Sequence, residues 1–235
     1  MTVENIVDEL KKYGNDATKK VFKNHGAQEP MYGVKVGDLK KIQKKIKKDH
    51  ELSIALFDTG ISDAMYLASL IADEEKITKA QLKKWAKKAN WHMLSEYAVP
   101  WIAAESRYGW ELALEWIEAK DEKLVATGWA TMSSVLSIKQ DEEIDLKIIK
   151  QLLKKAEKEV HNGQNRVSYA MNSFIISVGG YVQSLTDEAL KAAKKIGKVK
   201  VEMNGTSCKV PLADEYIEKM QAKGVIGKKR KMARC

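Results

Sequence analysis

The chain has 235 residues, 44% of them hydrophobic and 31% charged, and carries a formal net charge of +9. That is ample length for a buried core, and no run of 18 apolar residues is present to span a bilayer. Cys208 and Cys235 are too isolated for a disulfide framework or a metal knuckle, and the acidic, amphipathic start lacks the basic and apolar regions of a secretory signal, so the sequence reads as a soluble, cytoplasmic monomer with thiols.

Helical periodicity dominates. The spacing of apolar residues predicts helices over 3–13, 15–24, 36–48, 51–59, 62–72, 78–89, 91–105, 109–119, 122–138, 142–159, 164–179, 187–196 and 213–222. Proline occurs only at 30, 100 and 211. The helices are therefore divided by glycine and by caps at Ser62-Asp63, Thr78 and Thr186-Asp187-Glu188. Helix 36–48 carries Lys40, Lys41, Lys44, Lys45, Lys47 and Lys48, of which the first four are expected to meet phosphates as point charges. The polar turn before it, Asn24 to Val34, reads as a linker, with His25 and Tyr32 as candidates for a groove mouth.

The stretch from Asn90 to Trp101 concentrates aromatics, an imidazole and a carboxylate between helices built from Lys, Ala and Leu. On a helix Trp91, Ser95 and Val99 share one face, and His92 and Glu96 lie one turn apart on the next. A binding surface is one reading and core packing the other. Near the other end, residues 198–211 alternate in character about Asn204-Gly205, which predicts a small β-hairpin bearing Lys198, Lys200 and Lys209. No acidic residue follows Glu218, and 223–235 form a basic tail whose Lys228, Lys229, Arg230 and Lys231 read as a phosphate-contacting arm.

Paired helices recurring every 30–45 residues match HEAT-type units. The expected fold is all-α: a HEAT-like, ARM-type repeat solenoid over 1–222 with the hairpin near its end, or else a compact bundle. Charge is uneven. Residues 1–50 hold 12 Lys against 7 acids and 201–235 hold 8 Lys or Arg against 4, while the middle balances at 21 each. An excess confined to the ends suits a polyanion, and double-stranded DNA is the leading partner; the alternative is lysine-rich solvated helix faces. His25, His50, His92 and His161 have no metal-building spacing, and no phosphate-binding loop occurs, so neither metal nor cofactor is expected.

The segment from Trp91 to Val99-Pro100, within an all-helical repeat chain, resembles the DNA alkylation repair family of HEAT-like-repeat proteins, which includes AlkD-like alkylpurine DNA glycosylases. The resemblance spans roughly residues 5–220. It implies aromatic rings cupping a cationic alkylated purine and a carboxylate near the sugar as positive charge develops there. The first tryptophan of the family pattern is Trp91, the second is His92, the aspartate is Glu96, and Val99-Pro100 are kept. Thr127 stands where the glycosylases have a backbone-holding arginine, and Ser173 where they have a distal tryptophan. Tyr97 joins Trp91, His92, Thr127 and Ser173 as a lesion- or DNA-facing candidate, with Glu96 as the candidate catalytic group. With the second tryptophan, the arginine and the distal tryptophan absent, the chain looks like a divergent branch that binds bent, branched or alkylated duplex. An alkylpurine glycosylase and a protein-binding solenoid are the alternatives.

Overall fold

The computed structural model describes residues 1–206 and 208–234, and among them the regular structure is entirely helical. Two compact units emerge: the first comprises residues 1–107, 204–206 and 234, the second 108–203 and 208–233. Among the described residues no helix is long and apolar enough to cross a membrane. Cys208 is exposed; Cys235, and Ser207 of the expected hairpin, lie outside the described residues.

In the first unit α1 (Val3–Tyr13), α2 (Asp16–Asn24), α3 (Val36–Ile46), α4 (His50–Asp58), α5 (Ser62–Ile71), α6 (Lys79–Lys88) and α7 (Val99–Glu105) follow one another through short connections. Every residue of α5 is buried. Its sequence, SDAMYLASLI, is apolar nearly all round, and it packs against α1, α3, α4 and α7, as a helix without a solvent face must. Phe57 and Trp85 stack face to face at 4.1 Å beside it. Thr78 caps α6 with a reciprocal bond to Gln81, as its sequence predicts. Ser62-Asp63 does not act as a cap. The Asp63 carboxylate instead accepts from the backbone N–H groups of Tyr32 (2.6 Å) and Val34 (2.7 Å), fixing the linker ahead of α3.

The second unit contains α8 (Gly109–Ile117), α9 (Glu122–Ile138), α10 (Leu146–Glu159), α11 (Asn165–Tyr181), α12 (Thr186–Ile196) and α13 (Ala213–Ala222). Helix α11 is its centre and touches α9, α10, α12 and α13. The expected start of a helix at 142 is replaced by a 3-10 turn over Asp141–Glu143, because Asp145 caps α10 by accepting from the N–H groups of Lys147 and Ile148. The Thr186 hydroxyl donates to the Gly179 carbonyl rather than capping α12.

Gly128 lets α9 lie on α8. A Cβ there would stand 2.5 Å from the Ile117 nitrogen and 2.8 Å from the Trp116 carbonyl carbon, both backbone atoms that cannot turn aside. Gly128→Ala is expected to destabilise the protein by about 2 kcal/mol, an overpacking effect readable in a urea titration. Gly180→Ala, whose Cβ would meet only the flexible end of Met220, should fall well below that; equal losses at the two sites would refute the backbone argument.

Residues 198–211 form no strand among those described. The turn is present, with φ of 52° at Asn204 and 68° at Gly205, the positive pair that a tight hairpin turn demands. Among the described residues, however, the arms bond to α11 and show no backbone hydrogen bond to each other. The Asn165 amide takes both the N–H (2.6 Å) and the C=O (2.9 Å) of Glu202, and Asn172 donates to the Pro211 carbonyl (3.0 Å).

The tail is anchored as well. Gly227 N–H donates to the Gly180 carbonyl, and Arg230 N–H to that of Ser137. The Lys229 side chain, 7% exposed, donates to the carbonyls of Tyr181 (2.7 Å) and Leu136 (3.1 Å) and to Asp141 (2.8 Å). A phosphate-contacting role expected of Lys229 is thereby corrected: its ammonium already serves the C-terminal carbonyls of two helices.

Candidate nucleic-acid interface

In the first unit the segment after α6 is fixed by Asn90, whose amide donates to the Ser62 hydroxyl (3.0 Å). Trp91 then lies against Phe22 of α2 with ring centroids 5.1 Å apart, and His92 meets Trp91 edge-on at 5.3 Å and His25 at 5.9 Å. Four rings are thus gathered, and Trp91 and His92 remain half-buried. The Trp91 Nε1 is enclosed without a hydrogen-bond partner among the described residues. The adjoining apolar cavity, lined by Phe22, Val34, Leu39, Tyr66, Trp91 and Met93, has a volume of about 20 Å³. That is room for a water and far too little for a purine.

The expected continuous helix over 91–105 is broken by a π-helical turn at Leu94–Ala98, in which Val99 N–H reaches back five residues to the Leu94 carbonyl. Pro100 supplies the reason: it has no N–H for the Glu96 carbonyl, and its ring crowds that oxygen, so the turn widens. Glu96 sits in this widened turn and is 7% exposed. Tyr97 is half-buried and meets the buried Trp101 edge-on at 5.9 Å.

The lysines of α3 divide into two rows. Lys41 bonds Asp38 (2.7 Å) and Lys45 bonds Glu9 (2.5 Å); each hydrogen bond raises the ammonium pKa above its usual value. Lys40 and Lys44, four residues apart on the neighbouring stripe, have no ion-pair partner among the described residues. On α2, Lys19 and Lys23 hold Glu29, whose carboxyl is pulled down to about 2 by hydrogen bonds from Lys23 and Lys19. Lys84 and Lys88 of α6 share Asp58.

In the second unit Thr127 is fully enclosed, and its hydroxyl donates to the Lys123 carbonyl one turn back. The expectation that Thr127 faces DNA is therefore corrected. Trp129 and Phe174, 5.0 Å apart, are both at 0% exposure and belong to the core. Ser173 on α11 is half-buried. Sequence reasoning missed Arg166, whose guanidinium lies over the Tyr169 ring at 4.5 Å and reaches the Met203 sulfur. Arg-x-x-Tyr at helical spacing was the available signal. Lys200, Lys209, Lys228, Arg230 and Lys231 are exposed. Among the described residues no group of three His, Cys, Asp or Glu side chains is placed to hold a metal ion.

A family model described as DNA alkylation repair enzyme matches residues 6–209. The chain belongs to the DNA alkylation repair enzyme family. It is 36% identical over 225 residues to uncharacterized proteins of Listeria innocua (Lin0241) and Listeria monocytogenes (Lmo0209), covering 93% of this chain and 97% of each relative. Its fold matches, over the whole of both chains, a solved structure described as a new family of proteins related to the HEAT-like repeat DNA glycosylases with affinity for branched DNA structures; the TM-score is 0.91 at 33% identity. The all-α, HEAT-like repeat architecture expected from the helix spacing is thus shown.

In this member of the DNA alkylation repair family, Thr127, Trp129 and Phe174 of the second unit are sealed in the core. The first unit holds the half-buried Trp91, the enclosed carboxylate of Glu96, and Lys40 and Lys44 of α3, which have no ion-pair partner among the described residues.

Proposed function

We propose that this member of the DNA alkylation repair family binds double-stranded DNA through its sugar-phosphate backbone, favours bent or branched over linear duplex, and releases no bases. Its full-length structural similarity to a protein with affinity for branched DNA carries the reading. Its cations support it. Half-buried Lys40 and exposed Lys44 on α3, with the exposed Lys200, Lys209, Lys228, Arg230 and Lys231, offer phosphate contacts, and the first two have no ion-pair partner among the described residues. In the first unit the half-buried rings of Trp91, His92 and Tyr97 would meet nucleotides unstacked at a junction; Ser173, half-buried in the second unit, is a separate DNA-facing candidate. The protein acts in this reading as a cytoplasmic monomer.

Fluorescence anisotropy with linear, nicked and four-way duplexes tests the proposal. Branched DNA is expected to bind about tenfold more tightly than linear, with a steep loss of affinity as salt rises. Methylated duplex incubated with the wild type or with Glu96→Gln should yield no base above background. Release by the wild type that disappears in Glu96→Gln would make the protein a glycosylase instead, with Glu96 stabilising the developing charge on the sugar.

A further inference from the structure

The parted arms of the segment between α12 and α13 enclose an open groove of about 690 Å³ in the second unit. One wall is Lys198 to Met203; the other is Cys208 to Val210 with Leu212. The backbone on the first wall is extended and oriented. Glu202 directs both its N–H and its C=O to Asn165. In extended chain these groups alternate sides from one residue to the next, so those of Val201 and Met203 point the other way. Among the described residues, Lys198, Val199, Lys200, Val201 and Met203 make no backbone–backbone hydrogen bond. The first wall therefore presents backbone donors and acceptors, the condition for accepting a further strand.

We propose that this groove binds an extended acidic peptide, which pairs with the unbonded edge at Val201 and Met203. The recognition chemistry has three parts. Unpaired N–H and C=O groups together complement a peptide backbone, whereas a phosphodiester chain offers no donors for the carbonyls. Val201, Val210 and Leu212 line the groove with half-buried apolar surface for alternate side chains of the guest. Lys198, Lys200 and Lys209 stand against the single acid Glu202, which favours carboxylates at the intervening positions.

The test uses the full chain and a fluorescein-labelled, acetylated peptide of alternating Glu and Val. Saturable binding is expected, absent for the matching Lys and Val peptide. Val201→Pro removes one N–H from the edge and should weaken the acidic peptide about tenfold. Lys198→Glu should weaken it several-fold, and unchanged melting curves will show that both variants fold. No binding of the acidic peptide, or equal binding by Val201→Pro, would overturn the proposal. Competition by branched duplex through Lys200 and Lys209 is expected of the DNA binding proposed above. Binding of a single-stranded oligonucleotide that Val201→Pro weakens as much as it weakens the acidic peptide would overturn the proposal, since it would mark the edge itself as a nucleic-acid site.

Discussion

Arg234→Ala is expected to lower the unfolding free energy by about 3–5 kcal/mol and the melting temperature by about 10 °C. In the first unit this guanidinium, 9% exposed, bonds Glu105 through Nε (2.7 Å) and Glu74 through a terminal nitrogen (2.8 Å). It also donates to the carbonyls of Ser69, Leu70 and Ala72 at the end of α5. Alanine would leave Glu105, whose side chain is 8% exposed, as an enclosed charge without its cation. Burial pushes the Glu74 carboxyl up, but hydrogen bonds from Lys48 and the backbone, with Arg234, hold it below its ordinary value. A carboxyl lowered in the folded state contributes fully above about 4.5 and loses that contribution as pH falls through the folded value, so acid should narrow the gap between variant and wild type. Arg234→Lys should recover only part of the loss, since one ammonium cannot replace the planar fork. A melting shift under about 2 °C for Arg234→Ala would show that the carboxylates are satisfied without it.

The second large effect concerns DNA. Lys40→Ala with Lys44→Ala should reduce affinity for branched duplex about a hundredfold at low salt and flatten the plot of log affinity against log salt by about 2. The same change at Lys41 and Lys45 should do much less, because Asp38 and Glu9 already offset those ammoniums. Anisotropy titrations over a salt series distinguish the two pairs. Equal losses would mean that DNA does not separate the two stripes of α3.

How far these features were legible depends on whether their causes are local. Helices 3–13, 122–138 and 213–222 have the boundaries that their periodicity predicts. Apolar spacing and adjacent caps are near-neighbour properties. Asp63 looks like a cap in sequence, yet backbone N–H groups about thirty residues away claim it. The Asn204-Gly205 turn was readable, but not that Asn165 and Asn172 would take polar groups of the flanking arms. The tail shows the same division. Lys228, Lys229 and Arg230 are equivalent as a string, and only the placement of the Leu136 and Tyr181 carbonyls decides that the middle one is enclosed. In the candidate site, Trp91 and Glu96 were visible as chemistry; the π turn that holds Glu96 follows from Pro100, but its effect on register needed the folded backbone.

The enclosure of Lys229 also makes it a clock. An acylating reagent attacks a neutral amine that it can reach, so exposed lysines such as Lys228 and Lys231 should react at once in the native protein. Lys229 must first leave its three acceptors. Its slow modification, followed by mass spectrometry, would time the opening of the tail, a local event hidden from any measurement of global unfolding.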